Sequence, residues 1–243
     1  LEVAEWMQQQ GVRLIGLVNM PGSSLMQLAD CTAALSVGPE VGVASTKALT
    51  AQMLWGEVLA QQVADKSYTE TLQAVKNYEN TVEAWLQDSS LAVTVQHLAE
   101  EWLNHQHLFV LGRGQLYPAA LEFALKLKEI AYLHAEGFSG GELKHGVIAL
   151  VEPGTPVVCL VAQDEEQPAM LNAAAEVKSR GAQVVGVAAE SNELFDTWIP
   201  LPTDSFAPIT SILPAQLLAY ELAIKKGHNP DKPRNLAKSV TVK

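Results

Sequence analysis

The chain has 243 residues, of which 48% are hydrophobic, so it is long enough for one large domain or two small ones. Its formal net charge of −11 argues against nucleic-acid binding, which needs clustered lysine and arginine, but permits a small phosphorylated ligand. Because no apolar run approaches the roughly 20 residues of a membrane helix and no export leader is recognisable, we expect a cytoplasmic protein that does not bind a membrane.

Helical periodicity alternates with short apolar runs along the whole chain. The first part predicts helices at residues 2–10, 24–29, 45–62, 69–87 and 91–104, and strands at 12–18 and 32–37. The second part predicts strands at 107–111, 156–162, 183–188 and 197–201, and helices at 118–133, 168–180 and 212–226. Strands that alternate with helices predict an α/β fold with a mainly parallel, doubly wound sheet.

An internal repeat divides this pattern into two units. QQQGVRLIGLV at residues 8–18 matches KSRGAQVVGVA at 178–188, with both glycines of one segment aligned on those of the other. Each copy continues through a short helix that ends in an aspartate, Asp30 or Asp196, and then another strand. Only the second copy is preceded by a further strand, its helix, a loop at residues 136–145 and another strand. We therefore expect the first unit to be truncated at its N-terminus.

The predicted organisation has four parts. They are the C-terminal part of a first doubly wound domain (1–67), a helical linker (68–99), a second doubly wound domain (100–233) and a docked C-terminal tail (234–243).

The two cysteines, Cys31 and Cys159, lie far apart in or beside apolar runs. We expect both to be small buried residues and not a disulfide, a metal site or a nucleophile.

Three segments are placed where ligands bind in doubly wound sheets, beyond the carboxyl ends of strands. The first is GPEVGVASTK at residues 38–47. Ser45 or Thr46 could cap the following helix, and this would explain most of the segment as a turn and a cap. The cluster of small residues would equally let the backbone approach a ligand, and the sequence leaves the two interpretations open.

The second segment is ALKLKEIAYLHAEGFSGGELKHG at residues 124–146. Lys126 and Glu129 lie three apart, on one face of a helix, where they could form a surface ion pair of little energetic value. The glycine-rich loop that follows brings His145, and a carboxylate, an amine and an imidazole suit proton transfer at a carbon beside a carbonyl. No second His or Cys lies at ligand spacing from His145, so we expect no metal site.

The third segment is the tail, DKPRNLAKSVTVK, at residues 231–243. It has no helical periodicity and could be a disordered end. Because LAKSVTV is too apolar for a solvated tail, we expect it to be docked. Lys238 would then lie in a partly dry pocket as a candidate amine nucleophile toward a ketose.

GPEVGVASTKALTAQ, ALKLKEIAYLHAEGFSGGELKHG and PRNLAKSVTV, in this order, resemble the isomerase region of the glutamine–fructose-6-phosphate aminotransferases, also called glucosamine-6-phosphate synthases. The resemblance covers nearly the whole chain, and the tail is its most specific part. It implies a pair of sugar isomerase (SIS) domains, which agrees with the internal repeat.

The resemblance also implies roles for individual residues. Lys238 would form a Schiff base with the open keto form of fructose 6-phosphate, Glu129 would shuttle a proton between C1 and C2, and His145 would assist ring opening. In that family the imidazole comes from the neighbouring subunit, which implies a homodimer. The resemblance implies no cofactor. The remaining implied substrate-binding residues are Lys126 beside the sugar, the contacts Val43, Ser45 and Ala237, and Glu40 nearby.

Several features of the family are not matched. The serine-rich loops that hold the sugar phosphate and the glutaminase domain with its nucleophilic cysteine have no counterpart in these residues, and Phe123 and Val147 replace an expected small residue and a proline. We therefore expect the isolated chain to bind its hexose 6-phosphate weakly and to be inactive. Two alternatives stay open: a stand-alone glucosamine-6-phosphate deaminase, and a non-enzymatic sugar-phosphate sensor.

Overall fold

The computed structural model of the protein describes residues 1–202 and 206–238. The helices are α1 (Glu2–Gln9), α2 (Ser24–Leu28), α3 (Lys47–Val63), α4 (Tyr68–Leu86), α5 (Ser89–Glu101), α6 (Leu116–Ala131), α7 (Gln167–Lys178), α8 (Ala207–Thr210) and α9 (Leu213–Lys225). The strands are β1 (Ile15–Val18), β2 (Cys31–Ala34), β3 (His107–Gly112), β4 (His134–Ser139), β5 (Pro156–Val161), β6 (Gln183–Ala188) and β7 (Thr197–Pro200).

The described strands form two parallel sheets. One has two strands, β1 and β2, and the other has five, in the order β4-β3-β5-β6-β7. The predicted α/β fold with parallel sheets is therefore confirmed. The division of the chain into parts at 1–67, 68–99, 100–233 and 234–243 stays a prediction, and residues 239–243 of the expected docked tail lie outside the described residues.

The five-stranded sheet is buried on both faces. All six residues of β5 are buried, and alternate residues serve two different cores. Val158 and Leu160 pack with α5, α6 and α9, whereas Val157 and Cys159 pack with α7. A continuous apolar run such as PVVCLV is typical of a strand with helices on both sides. This packing holds α6, which carries two of the predicted site residues, firmly against the sheet.

The two copies of the repeat make the same backbone contact. The carboxylate of Asp30 accepts a hydrogen bond from the amide of Leu14 at 2.7 Å, and that of Asp196 accepts one from the amide of Val184 at 2.8 Å. In each copy the aspartate thus fixes the start of the preceding strand, although the residues before Asp196 form a turn and not the short helix expected there. The repeat read from the sequence is therefore a structural repeat.

The structure corrects three expectations. Residues 136–145 were expected to form a loop, but their beginning belongs to β4. This edge strand carries the exposed residues His134 and Glu136, so it lacks the apolar run that marks a buried strand. β2 ends at Ala34 and not at 37, because Ser36 adopts a left-handed conformation with φ of 55°. Cys31 is exposed, while Cys159 is buried as expected.

A fourth correction concerns the length of one apolar segment. Ala207–Lys225 is long and apolar enough to cross a membrane, although the sequence suggested no such stretch, and 61% of it is buried inside the fold. A core helix passes the same test of length and composition, so this stretch is weak evidence for a membrane segment.

Gly112 allows the first turn of α6 to lie very close to the end of β3. A Cβ atom at this position would lie 2.3 Å from the carbonyl oxygen of Leu116, in the first turn of α6. We expect Gly112→Ala to lower the free energy of unfolding by about 2–3 kcal/mol, because backbone would have to move. Gly56, inside α3, has nothing within 4 Å of such an atom. Gly56→Ala should instead stabilise the protein by about 0.5–1 kcal/mol.

Denaturant unfolding of both variants measures the difference. If Gly112→Ala proves as stable as the wild type, α6 can shift without cost, and the position of its side chains is not fixed by this contact.

Candidate active site

The loop before α3 is organised by a single carboxylate, that of Glu40. Its Oε1 accepts hydrogen bonds from the amides of Thr46 at 2.9 Å and Ala48 at 3.3 Å, and its Oε2 accepts one from the hydroxyl of Ser45 at 3.2 Å. Thr46 is the N-cap residue but makes no capping bond through its side chain. The expectation that Ser45 or Thr46 caps the helix was therefore wrong, because Glu40 satisfies the first amides and complements the helix dipole.

Glu40 also binds the tail. The Nζ atom of Lys238 lies 2.7 Å from Oε2 of Glu40, whose side chain is only 9% exposed. Burial by itself raises the pKa of Glu40, but the hydrogen bonds from Lys238, Thr46 and Ala48 outweigh it and lower that pKa to about 2. Glu40 is therefore an anion at neutral pH that holds the candidate nucleophile in place.

A second charged group lies on α6. The Nζ atom of Lys126 is 2.8 Å from Oε2 of Glu129 and 3.1 Å from Oε1 of Glu122. The Lys126 side chain is only 3% exposed, which rules out the interpretation of Lys126 and Glu129 as a solvated surface pair. Water screens the attraction within this group only weakly, but the burial of the charges opposes that attraction.

Ser45 connects the two groups. Its backbone carbonyl accepts a hydrogen bond from Nζ of Lys126 at 3.1 Å, while its hydroxyl donates to Glu40. Six residues from the loop, α6 and the tail thus form one continuous network, which we call the lysine–carboxylate cluster: Glu40, Ser45, Glu122, Lys126, Glu129 and Lys238. Five of the predicted site residues are therefore brought together: Glu40, Ser45, Lys126, Glu129 and Lys238.

Glu122 was missed by the sequence analysis. It lies four residues before Lys126 and seven before Glu129, spacings that place all three on one helix face, so the signal was present. Burial raises the pKa of Glu122; Lys126 lowers it in part, and the nearby charge of Glu129 raises it further. Glu122 and Glu40 are thus two carboxylates of one cluster whose pKa values are shifted in opposite directions.

Val43 and Ala237, the remaining implied substrate contacts, adjoin the cluster. The amide of Val43 donates to the carbonyl of Asp231 at 3.1 Å, which ties the Glu40 loop to the start of the tail segment. Ala237 is exposed next to Lys238. Clefts open on both sides of the cluster: one of about 340 Å³ is lined by Glu40 and Asp231, and one of about 600 Å³ by Glu129, Tyr132, Arg234 and Leu236.

His145 is not part of the cluster in this chain. It is an exposed residue of the 3₁₀ turn Leu143–His145, and its side chain makes no hydrogen bond or ion pair within residues 1–202 and 206–238. The turn itself is anchored through the ion pair of Lys144 with Glu176 at 2.7 Å. Within the same residues, no group of three or more His, Cys, Asp and Glu side chains could hold a metal ion.

The proton affinity of Glu40 predicts a pH dependence of stability. A carboxyl whose pKa is lowered on folding stabilises the protein above its ordinary pKa of 4.5, and this contribution is lost as the pH falls from 4.5 to about 2. We expect Glu40→Gln to cost about 1–2 kcal/mol of unfolding free energy at pH 7 and less at pH 3. The exposed residue Glu165 provides the control, since Glu165→Gln should change neither value.

Urea unfolding at both pH values measures these differences. An equal cost of Glu40→Gln at pH 7 and pH 3 would contradict the assignment of Glu40 as a strongly stabilised anion.

Comparison with known proteins places this geometry in a family. The sequence model of the SIS domain matches residues 1–62 and 103–226. Glutamine–fructose-6-phosphate aminotransferase [isomerizing] of Pyrococcus horikoshii is 43% identical over 241 residues, which are 97% of this chain and 40% of that protein. The corresponding enzyme of Clostridium acetobutylicum is 41% identical over 242 residues, 96% of this chain and 40% of its own length.

A solved structure agrees with the sequence relatives. The C-terminal domain of glucosamine-fructose-6-phosphate aminotransferase from Francisella tularensis is 32% identical and superposes with a TM-score of 0.83 over 95% of this chain and 68% of its own. Glucosamine-6-phosphate deaminase of Thermotoga maritima is 29% identical, with a TM-score of 0.78 over 98% of this chain and 69% of its own.

The chain spans about 40% of the length of the curated relatives that it matches. The resemblance to the isomerase region of the aminotransferases is confirmed by these relatives and by the structure of the C-terminal domain. With the SIS model matching most of its residues and a doubly wound parallel sheet behind the site, this chain belongs to the SIS domain family.

Proposed function

We propose that this chain carries the sugar-isomerising site of a glutamine–fructose-6-phosphate aminotransferase, acting on fructose 6-phosphate to form glucosamine 6-phosphate. The observation that carries the proposal is the lysine–carboxylate cluster, in which the amine of Lys238 and the carboxylate of Glu129 are joined through Ser45 and Lys126. The names of relatives about 40% identical over nearly the whole chain support the same chemistry.

In the proposed reaction, the Nζ atom of Lys238 attacks C2 of the open-chain ketose and water leaves, so that a protonated Schiff base forms. Glu40 orients this amine but cannot be its base, because a carboxyl with a pKa of about 2 binds a proton too weakly at neutral pH. The amine must therefore lose its proton to the substrate or to water as the sugar enters. Ammonia then displaces Lys238 and leaves its nitrogen on C2.

Glu129 performs the proton transfer. Its carboxylate takes a proton from C1, which the positive nitrogen on C2 has acidified, and returns it to C2; the hydroxyl at C1 loses its proton and becomes the aldehyde. The ammonium of Lys126, 2.8 Å from Glu129, is held without water and is available to stabilise negative charge that develops on the sugar.

His145 completes the proposal as the residue that opens the sugar ring. Its exposed position in this chain supports a contribution to the site of a second subunit, and hence a homodimer. We also propose that the protein is cytoplasmic, as expected for an enzyme of sugar-phosphate metabolism, and that it binds no nucleic acid.

A glucosamine-6-phosphate deaminase is the second candidate, supported by the Thermotoga maritima structure, which covers 98% of this chain. The same cluster would then run in reverse and release ammonia from glucosamine 6-phosphate. Release of ammonia from glucosamine 6-phosphate with formation of fructose 6-phosphate would indicate the deaminase, whereas glutamine-dependent formation of glucosamine 6-phosphate from fructose 6-phosphate would indicate the aminotransferase. The sensor alternative is less supported, because a passive binding site does not need an amine, a carboxylate and a buried cation gathered in one cluster.

Lys238→Ala tests the Schiff base. We expect the variant of the full-length protein to fold normally and lose isomerisation by at least 10²-fold, since the covalent route is closed. Borohydride reduction with fructose 6-phosphate should trap a covalent adduct on the wild type and none on the variant, as read by mass spectrometry. Lys232→Ala, an exposed lysine of the same segment, is the matched control and should still be trapped. An adduct that persists in Lys238→Ala assigns the nucleophile to another lysine.

Glu129→Gln tests the proton transfer. The amide keeps the shape of the side chain and its contact with Lys126 but cannot accept a proton, so substrate should bind while exchange falls about 10²–10⁴-fold. The assay is solvent-deuterium exchange at C1 of the sugar. Glu79→Gln removes a carboxylate from an exposed pair with Lys76 and should leave the exchange unchanged. Near-normal exchange in Glu129→Gln would remove Glu129 from the mechanism.

A further inference from the structure

Glu122 is the member of the lysine–carboxylate cluster for which the proposed reaction has no role. We infer that Glu122 is a positioning residue for the proton-transfer step: it holds Lys126 and shares its charge, so that Glu129 remains a competent base. This inference rests on the proposed function of Glu129.

The geometry supports this role through the contacts of Lys126. The ammonium of Lys126 lies within ion-pair distance of two carboxylates, those of Glu122 at 3.1 Å and Glu129 at 2.8 Å, and donates a hydrogen bond to the carbonyl of Ser45 at 3.1 Å. The side chain is 3% exposed, so water cannot replace a lost partner. Removing Glu122 would therefore change how Lys126 engages the other two.

The backbone beneath the cluster leaves little room for the three side chains to separate. Phe123, Ala124 and Leu127 of α6 are fully buried in the core shared with β3, β5 and α9. Glu122, Lys126 and Glu129 project from the same rigid turns, and only side-chain rotation can alter their distances.

The charge of the group is unbalanced. Two carboxylates and one ammonium leave one net negative charge on the group of Glu122, Lys126 and Glu129, and the neighbouring pair of Glu40 and Lys238 beyond Ser45 is neutral. Glu129 thus shares its cation with a competitor. The charges of the two carboxylates repel each other across Lys126, and the charge of Glu129 contributes to the raised pKa of Glu122.

Glu122 costs the protein stability at neutral pH. A carboxyl whose pKa is raised on folding contributes stability below its ordinary pKa of 4.5, and this contribution is lost as the pH rises. Gln would fill the same space, present an oxygen to Lys126 and carry no charge to bury. A charged residue at such a position matches the general pattern in which functional sites depart from the most stable choice.

The experiment compares Glu122→Gln with the wild type in the full-length protein. We expect the rate of solvent-deuterium exchange to fall on the order of tenfold, the KM for fructose 6-phosphate to change by less than about twofold, and the acid limb of the pH–rate profile to move to lower pH. The melting temperature at pH 7 should be equal to that of the wild type or higher. Glu79→Gln is the control and should leave all four quantities unchanged.

The outcomes separate this inference from the proposed function. If Glu129→Gln abolishes exchange but Glu122→Gln keeps the wild-type rate and pH profile, the inference about Glu122 is wrong and the proposed function stands. If Glu129→Gln exchanges normally, the proposed function itself is wrong. A rate loss accompanied by a lower melting temperature would show a structural role and overturn the inference.

Glu122→Asp decides the case in which Glu122→Gln fails to fold. It retains the charge on a shorter side chain, so its acid limb should stay at the wild-type pH. An acid limb displaced in Glu122→Asp would overturn the inference.

Discussion

The site depends on one buried cation, the ammonium of Lys126. An ammonium that is 3% exposed needs compensating partners, and here they are the carboxylates of Glu122 and Glu129 and the carbonyl of Ser45. The first two partners belong to the same helix, but Ser45 belongs to a loop 81 residues earlier in the chain. The need to satisfy this charge therefore joins the loop before α3 to α6, and Glu40, held by that loop, extends the connection to Lys238 in the tail.

The five-stranded sheet explains why the cluster is well defined. α6 packs against β3 and β4 on one side and α9 on another, with its small residues buried in the core. Gly112 lets the first turn of α6 lie directly over the end of β3, where a Cβ atom would meet backbone. The helix that carries Glu122, Lys126 and Glu129 is thus set by a large apolar core, and the polar cluster is built on a support that does not depend on it.

Glu40 and Glu122 show how one residue type acquires two behaviours within a single cluster. Both are removed from most water, which raises a carboxyl pKa in each case. Glu40 accepts hydrogen bonds from Lys238 and from two amides, and its pKa falls to about 2. Glu122 shares Lys126 with a second carboxylate, and its pKa stays raised. Glu40 is a fixed anion beside the amine of Lys238. Glu122 is a carboxyl of raised pKa that shares Lys126 with Glu129, the proposed base. The number of donors decides the difference.

The sequence by itself determined the α/β fold, the repeat and the segments that carry the site, because periodicity and motif order are local properties. It also placed Lys126 and Glu129 on one helix face, since a spacing of three fixes that relation in any helix. Only the tertiary structure decided that Glu40 and not Ser45 caps α3, and that the same carboxylate meets Lys238, 198 residues later. Contacts between distant segments follow from how elements pack, and no local pattern encodes them. For the same reason the sequence missed β4, an edge strand without an apolar run, and gave no role to Glu122, whose importance lies in a charge it shares.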